Sequence, residues 1–264
     1  MMPYSEALIR SQLTHIADAQ LECITIVDEV DSTNTQLLAK ARNGENRTCV
    51  LLAHEQSAGR GRHGKQWYSP RDGALYLSLL WHFDSSPLIK TGLPLAIGIS
   101  LCQGLNQWGI DELGLKWPND LLWQDKKLGG ILVETYVDKQ AISHGVIGIG
   151  INIELPENSD KHIQQPWIDL KTIYKKPINK NELISILLNH LVTTLILFEK
   201  EGLAPFQAQW KKYDRLYQQK VHIIGATEPW VGIARGIDNK GGLRIETQNG
   251  IAVHYSGEIS VRAQ

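Results

Sequence analysis

The sequence is poor in cysteine: 3 in 264 residues, and Cys23, Cys49 and Cys102 form no C-x-x-C pair. That excludes a disulfide framework and a cysteine zinc site, and it reads as reduced thiols in a cytosol. It also lacks an excess of either charge. With 27 basic and 28 acidic residues the net charge is -1, so no global field draws the chain to nucleic acid or to an anionic membrane. The opening MMPYSEALIRSQL has no apolar core, so a secretory signal is not expected. Long apolar runs are missing too. The most apolar stretch, 183–198, is interrupted by Ser185, Asn189, His190 and two threonines, and reads as too short to span a bilayer. No repeat or low-complexity segment stands out, and the reading is a soluble cytoplasmic protein with no membrane partner.

What is present reads as α+β. Residues 5–17 look like a short amphipathic helix, and Cys23 to Glu29 like a strand. Asp31-Ser32-Thr33 offers capping side chains before the helical run NTQLLAKAR, which ends near Gly44. Strands are expected over 48–56 and 74–83, then a helix from Pro94 to Trp108 with the proline in its first turn. A series of strands follows over 113–153. The polar segment 155–166 reads as mobile. Asn179 caps a long helix over 180–200, and another helix covers 203–214. From Val221 the character changes to five short strands separated by turns such as Asp238-Asn239-Lys240-Gly241. These patterns place a large domain over 1–215 and a small all-β domain over 216–264.

The stretch SAGRGRHGKQW, 57–67, matches G-x-G-x-x-G at Gly59, Gly61 and Gly64. A dinucleotide site needs a helix after that loop. Here Pro70 and Gly73 forbid one, and a β-alternating run follows. A kinase loop fails because neither H-R-D nor D-F-G occurs. Glycines let the backbone approach an anion, and Arg60 and Arg62, if extended, share one side and can hold carboxylate or phosphate bidentately. Three further stretches carry the same chemistry: KWPND (116–120), KLGGIL (127–132) and GIGIN (148–152). Each has a plainer alternative: a solvated turn for Lys116 and Lys127, and close helix packing for the alternating glycines.

Together with DSTN (31–34), these motifs occur in the order and at the spacing of the biotin protein ligases, which the chain resembles over nearly its whole length, including GEIS (257–260). The resemblance implies a mixed central sheet with flanking helices, related to class II aminoacyl-tRNA synthetases, followed by a small SH3-like β-barrel. It implies ATP-dependent activation of biotin as biotinyl-5'-AMP and transfer to a lysine of the biotin carboxyl carrier protein of acetyl-CoA carboxylase, with Mg2+ accompanying ATP. Ser32, Thr33 and Gln56 would bond the ureido ring, with Asn34 supporting them. The backbone at Gly59, Arg60 and Gly61 would line the biotin pocket, and Trp67 would cover it. Lys127, Arg62 and Lys116 would be catalytic, Arg62 holding the adenylate phosphate. Lys116, Asn119 and Asn152 would serve the phosphates and magnesium, Trp167 would stack on adenine, and Arg262 would bind phosphate. His63 and Lys65 stand where the family is often arginine-rich, so no contact is assigned to them. Only about 22 residues precede the first strand, too few for a helix-turn-helix domain, so the resemblance implies a monofunctional form without DNA binding. It also leaves a homodimer open. Lipoate- or octanoate-protein ligases share the fold and form the alternative, but polar Ser32, Thr33 and Gln56 argue against their apolar slot.

Overall fold

In the computed structural model the described residues are 4–83, 89–137, 143–224, 230–255 and 260–263. The N-terminal helical segment is two short helices, α1 (Glu6–Arg10) and α2 (His15–Gln20), rather than one. Ser5 and Thr14 each cap a separate start, accepting from Leu8 N and Ala17 N. β1 (Cys23–Val30) leads to α3 (Thr33–Arg42), whose N-cap is Ser32, and α3 is followed by β2 (Cys49–Gln56) and β3 (Ala74–Phe83). α4 (Ile89–Gln107) starts five residues before Pro94, so the proline lies inside the helix and not in its first turn. Burial of Leu93, Leu95, Ala96, Ile97 and Ile99 outweighs the one lost helix bond. Four strands follow, β4 (Leu113–Lys116), β5 (Asp120–Trp123), β6 (Lys126–Val137) and β7 (Ser143–Asn152). Next come α5 (Leu170–Tyr174), α6 (Lys180–Glu201) and α7 (Gln207–Tyr213).

These strands form one sheet of 7 in the order β1-β2-β3-β7-β6-β5-β4. Only β1 and β2 are parallel, and α3 is the crossover between them. β2 and β3 are antiparallel, so the glycine-rich loop is a connection between antiparallel neighbours, as Pro70 and Gly73 required. The C-terminal strands β8 (Lys220–Ile224), β9 (Trp230–Ile237), β10 (Leu243–Thr247), β11 (Gly250–His254) and β12 (Ser260–Ala263) make a small antiparallel, SH3-like sheet ordered β11-β10-β9-β8-β12. Its buried Val221, Ile223, Ala234, Leu243 and Ile245 join the hydrophobic core of the large sheet. Trp117, 2% exposed, donates from Nε1 to Gly241 O at 3.0 Å across the two sheets.

α6 is 22 residues long with a mean hydropathy of 1.5 in its most apolar window, so its length would suffice to cross a bilayer, contrary to the sequence expectation. Tertiary burial decides its place instead: 61% of that window is buried, with Leu183, Leu187, Leu191 and Leu195 in the core.

A buried lysine pins the start of α6. Lys180 Nζ donates to Asp72 Oδ1 and Asp72 O, both at 3.1 Å, and His54 Nδ1 lies 2.9 Å from the same carboxylate. Burial raises the Asp72 carboxyl, but the bonds from His54 and Lys180 outweigh it and hold it below the ordinary value. A carboxylate depressed in this way stabilises the fold above its unfolded pKa, about 3.9, and that stabilisation is lost as pH falls through the folded value. Asp72→Asn is therefore expected to flatten the acid limb of urea midpoint against pH. An unchanged acid limb would show that Asp72 takes no part in acid unfolding.

Candidate active site

The β2–β3 loop folds back on itself: Gly61 N donates to Lys65 O at 2.7 Å, Trp67 N to Gly59 O at 2.9 Å, and Arg60 bridges Gln66. His63 takes a positive φ of 55° at the tip. This turn corrects the expectation that Arg60 and Arg62 share a side, because period-two alternation ends where the chain reverses. Arg60 reaches Glu134 on β6, whereas Arg62 Nη1 donates to Asn119 Oδ1 at 3.3 Å. Gly59 is buried, and a Cβ there would lie 2.3 Å from Ser69 Oγ.

The loop roofs a cleft of about 600 Å3 at the ends of β2, β4, β6 and β7, a size suited to a small organic ligand. One wall is polar. Thr33 N and Oγ1 donate to Gln56 Oε1 at 2.9 and 3.1 Å, and Gln56 Nε2 donates to Ser69 Oγ at 3.0 Å. Ser78 Oγ donates to Asn34 Oδ1 at 2.6 Å and lies 2.7 Å from Thr33 Oγ1. Ser32, Thr33 and Asn34 are all buried, since capping places them at the first turn of α3, pointing into the cleft. Trp67 lies across this wall, and its Nε1 is buried without a hydrogen-bond partner, a donor left for a ligand acceptor.

The glycines of GIGIN line the cleft and also allow close packing. A Cβ on Gly148 would sit 2.3 Å from Asn34 Oδ1, and one on Gly150 would sit 2.6 Å from Trp67 Cε2. Gly130 likewise clears Trp67, at 3.2 Å from its Cζ3.

The other wall carries charge. Pairing of β5 with β6 shifts between Leu121 and Leu122, leaving Leu128 as an extra residue beside Lys127. Lys127 Nζ contacts Asp120 Oδ1 at 2.7 Å and lies 5.4 Å from the Trp67 ring centroid. The Arg62 guanidinium faces the same carboxylate; burial pulls it below its ordinary pKa, and Asp120 partly opposes this. Lys116 lines the cleft from the end of β4, with Asn119 beside it held by Nδ2 to Ile131 O at 2.7 Å. Asn152 is buried, and its Nδ2 donates to Ile168 O at 3.0 Å and Lys127 O at 3.3 Å. That amide fastens the 166–168 segment to β6, and Asn152 lines the cleft. Trp167 pairs beside Lys127 and donates from Nε1 to Asp160 Oδ1 at 2.7 Å. Segment 155–166 forms a 3-10 turn, Glu157–Lys161, with Ser159 fully buried. Arg262 falls in β12, but its side chain, like Gly257, Glu258 and Ile259, lies outside the described residues.

Sequence reasoning missed Ser78, Ser69 and Glu134, and it gave Asp120 of KWPND no role of its own. Ser78 had a signal, as the lone serine inside the apolar strand ALYLSLLWHF. Glu134 had none, because an acidic residue on a half-exposed strand is ordinary.

Two family models match: the Biotin/lipoate A/B protein ligase family over residues 27–152, and the Biotin protein ligase C terminal domain over 219–262. The bifunctional ligase/repressor BirA of Escherichia coli (strain K12) is 39% identical over 245 residues, covering 91% of this chain and 74% of BirA. The biotin--[acetyl-CoA-carboxylase] ligase of Mycobacterium tuberculosis is 30% identical, covering 97% of this chain and 95% of that one. The biotin protein ligase of Aquifex aeolicus in complex with biotin and ATP superposes with a TM-score of 0.76 at 29% identity, over 92% of this chain and 100% of that one. A cleft with one polar wall and one cationic wall, the order of its motifs and these likenesses converge, and the chain belongs to the biotin protein ligase family.

Proposed function

We propose that this protein joins biotin to ATP as biotinyl-5'-AMP and passes the biotinyl group to a lysine of a biotin carboxyl carrier protein. The observation that carries the reading is the pairing of the Thr33–Gln56 wall with Arg62, Lys116 and Lys127 in one cleft. A ureido ring has two N–H donors and one carbonyl, which a hydroxyl and amide wall matches and an aliphatic slot does not. Ser32, Thr33 and Gln56 take the ring and Trp67 covers it. The tail then runs toward Lys127. In the first step a carboxylate oxygen of biotin attacks the α-phosphorus and pyrophosphate leaves. In the second, the acceptor ε-amine attacks the acyl carbon, loses a proton, and AMP departs. Neither step needs a nucleophile from the protein. What the reaction needs is cations that hold two mutually repelling anions in line and stabilise charge at phosphorus. Lys127 and Arg62 do this at the junction, Lys116 and Asn119 serve the triphosphate, and Trp167 stacks on adenine. Arg60 is spent on Glu134 and serves the biotin side through its backbone.

Magnesium ordinarily uses one or two protein carboxylates plus substrate phosphates. Asp120 is the one carboxylate among the described residues of the cleft, and no cluster of three His, Cys, Asp or Glu side chains occurs among the described residues. These donors fit an ion carried on the triphosphate: Asp120 and Asn119 would hold it, and it would neutralise phosphate charge.

The direct test is pyrophosphate–ATP exchange with biotin, lipoate or octanoate. Exchange with biotin alone is expected. Exchange with lipoate or octanoate instead would move the protein to the sister activity and show the polar wall misread.

A further inference from the structure

Glu134 projects from β6 outside the cleft, yet it joins two segments that line it. Its Oε1 accepts from Arg60 Nη2 at 2.8 Å and its Oε2 from Arg60 Nη1 at 2.9 Å, a bidentate ion pair between groups 74 residues apart. The same Oε2 accepts from Asn34 Nδ2 at 3.1 Å, 100 residues away. We propose that Glu134 is the positioning residue that pins the glycine-rich loop to the ureido-binding wall. The inference rests on the assignment of that wall to biotin.

The two contacts act on different parts of the site. Arg60 bridges Gln66 across the loop, so holding its guanidinium holds both legs, and the second leg carries Trp67 into place over Gly150. Asn34 has its amide oriented at both ends, Oδ1 by Ser78 Oγ and Nδ2 by Glu134 and Leu132 O. From Ser78 the contact passes to Thr33 Oγ1, and Thr33 N donates to Gln56 Oε1. One carboxylate therefore sets the loop and the wall in register before biotin arrives, which lowers the ordering cost of binding. It touches neither the triphosphate groups nor Lys127, so its effect belongs to biotin affinity and not to the chemical step.

The test measures exchange kinetics for Glu134→Gln. A glutamine carbonyl can still accept from Asn34, while its amino group faces the Arg60 donors and breaks that pair. The biotin KM is expected to rise about tenfold, with kcat and the ATP KM within about twofold of the parent. Arg60→Gln, at the more exposed end of the pair, is expected to give the same biotin KM rise and decides the matter if Glu134→Gln does not fold. The reversed pair, Arg60→Glu with Glu134→Arg, restores the ion pair but leaves Asn34 Nδ2 without its acceptor, so it is expected to recover only part of the affinity. An unchanged biotin KM, a fall in kcat at constant KM, or an equal rise in the ATP KM would overturn the proposal. A parent enzyme that shows no exchange with biotin would instead overturn the assigned function.

Discussion

Lys127→Ala lowers biotin-dependent pyrophosphate exchange by on the order of a hundredfold or more, with the fold intact. The ammonium stands at the mouth of the strand bulge, 2.7 Å from Asp120 Oδ1, with 17% of its side chain exposed. Truncating it removes the positive charge aimed at the carboxylate–phosphate junction. It also leaves Asp120 with only Arg62 to offset it beside two incoming anions, so the loss exceeds that of the cation by itself. The combination with Asp120→Asn is therefore expected to depart from additivity, which a double-mutant cycle reads directly. Exchange within threefold of the parent in Lys127→Ala would remove the residue from the chemistry. Full additivity with Asp120→Asn would show that the pair seen here does not matter to the reaction.

Trp117→Ala is expected to cost about 3–5 kcal/mol of unfolding free energy, a large part of the about 5–15 kcal/mol of a typical domain. Trp117 heads the largest fully buried side chains and joins the strand that carries Lys116 to the turn at Gly241 of the small sheet. Loss of the indole opens a cavity in the core shared by both sheets. Trp117→Phe removes chiefly the bond to Gly241 O and is expected to cost about 1 kcal/mol plus a smaller packing loss. Denaturant unfolding of the three proteins checks the ranking. A Trp117→Ala midpoint equal to the parent's would mean that the two sheets do not depend on this contact. Because Lys116 and Asn119 flank Trp117, the folded fraction of Trp117→Ala is also expected to show a higher ATP KM.

Most of the secondary structure was legible. Asn179 and Ser32 cap the helices they were expected to cap, and the period-two run 74–83 is β3 from end to end. The errors came where a long-range partner overrode a local preference. Pro94 would ordinarily open a helix, but an apolar face buried on the core carries α4 back to Ile89. The glycines of GIGIN were open to ligand approach or to close packing on a helix; Asn34 of α3 and Trp67 pack against them, and Gly148 and Gly150 also line the cleft.

The sequence by itself determined the class of the protein. The identity and order of its motifs are local properties, as are caps, turns and alternation, and they are written within a few residues of one another. Only the tertiary structure decided which cation is free to act on substrate and which is engaged. Arg60 and Arg62 are equivalent in the sequence. They differ because one meets Glu134 on β6 and the other meets Asn119 after β4. Charge becomes chemistry through its neighbours at hydrogen-bond distance, and those neighbours lie scores of residues away along the chain.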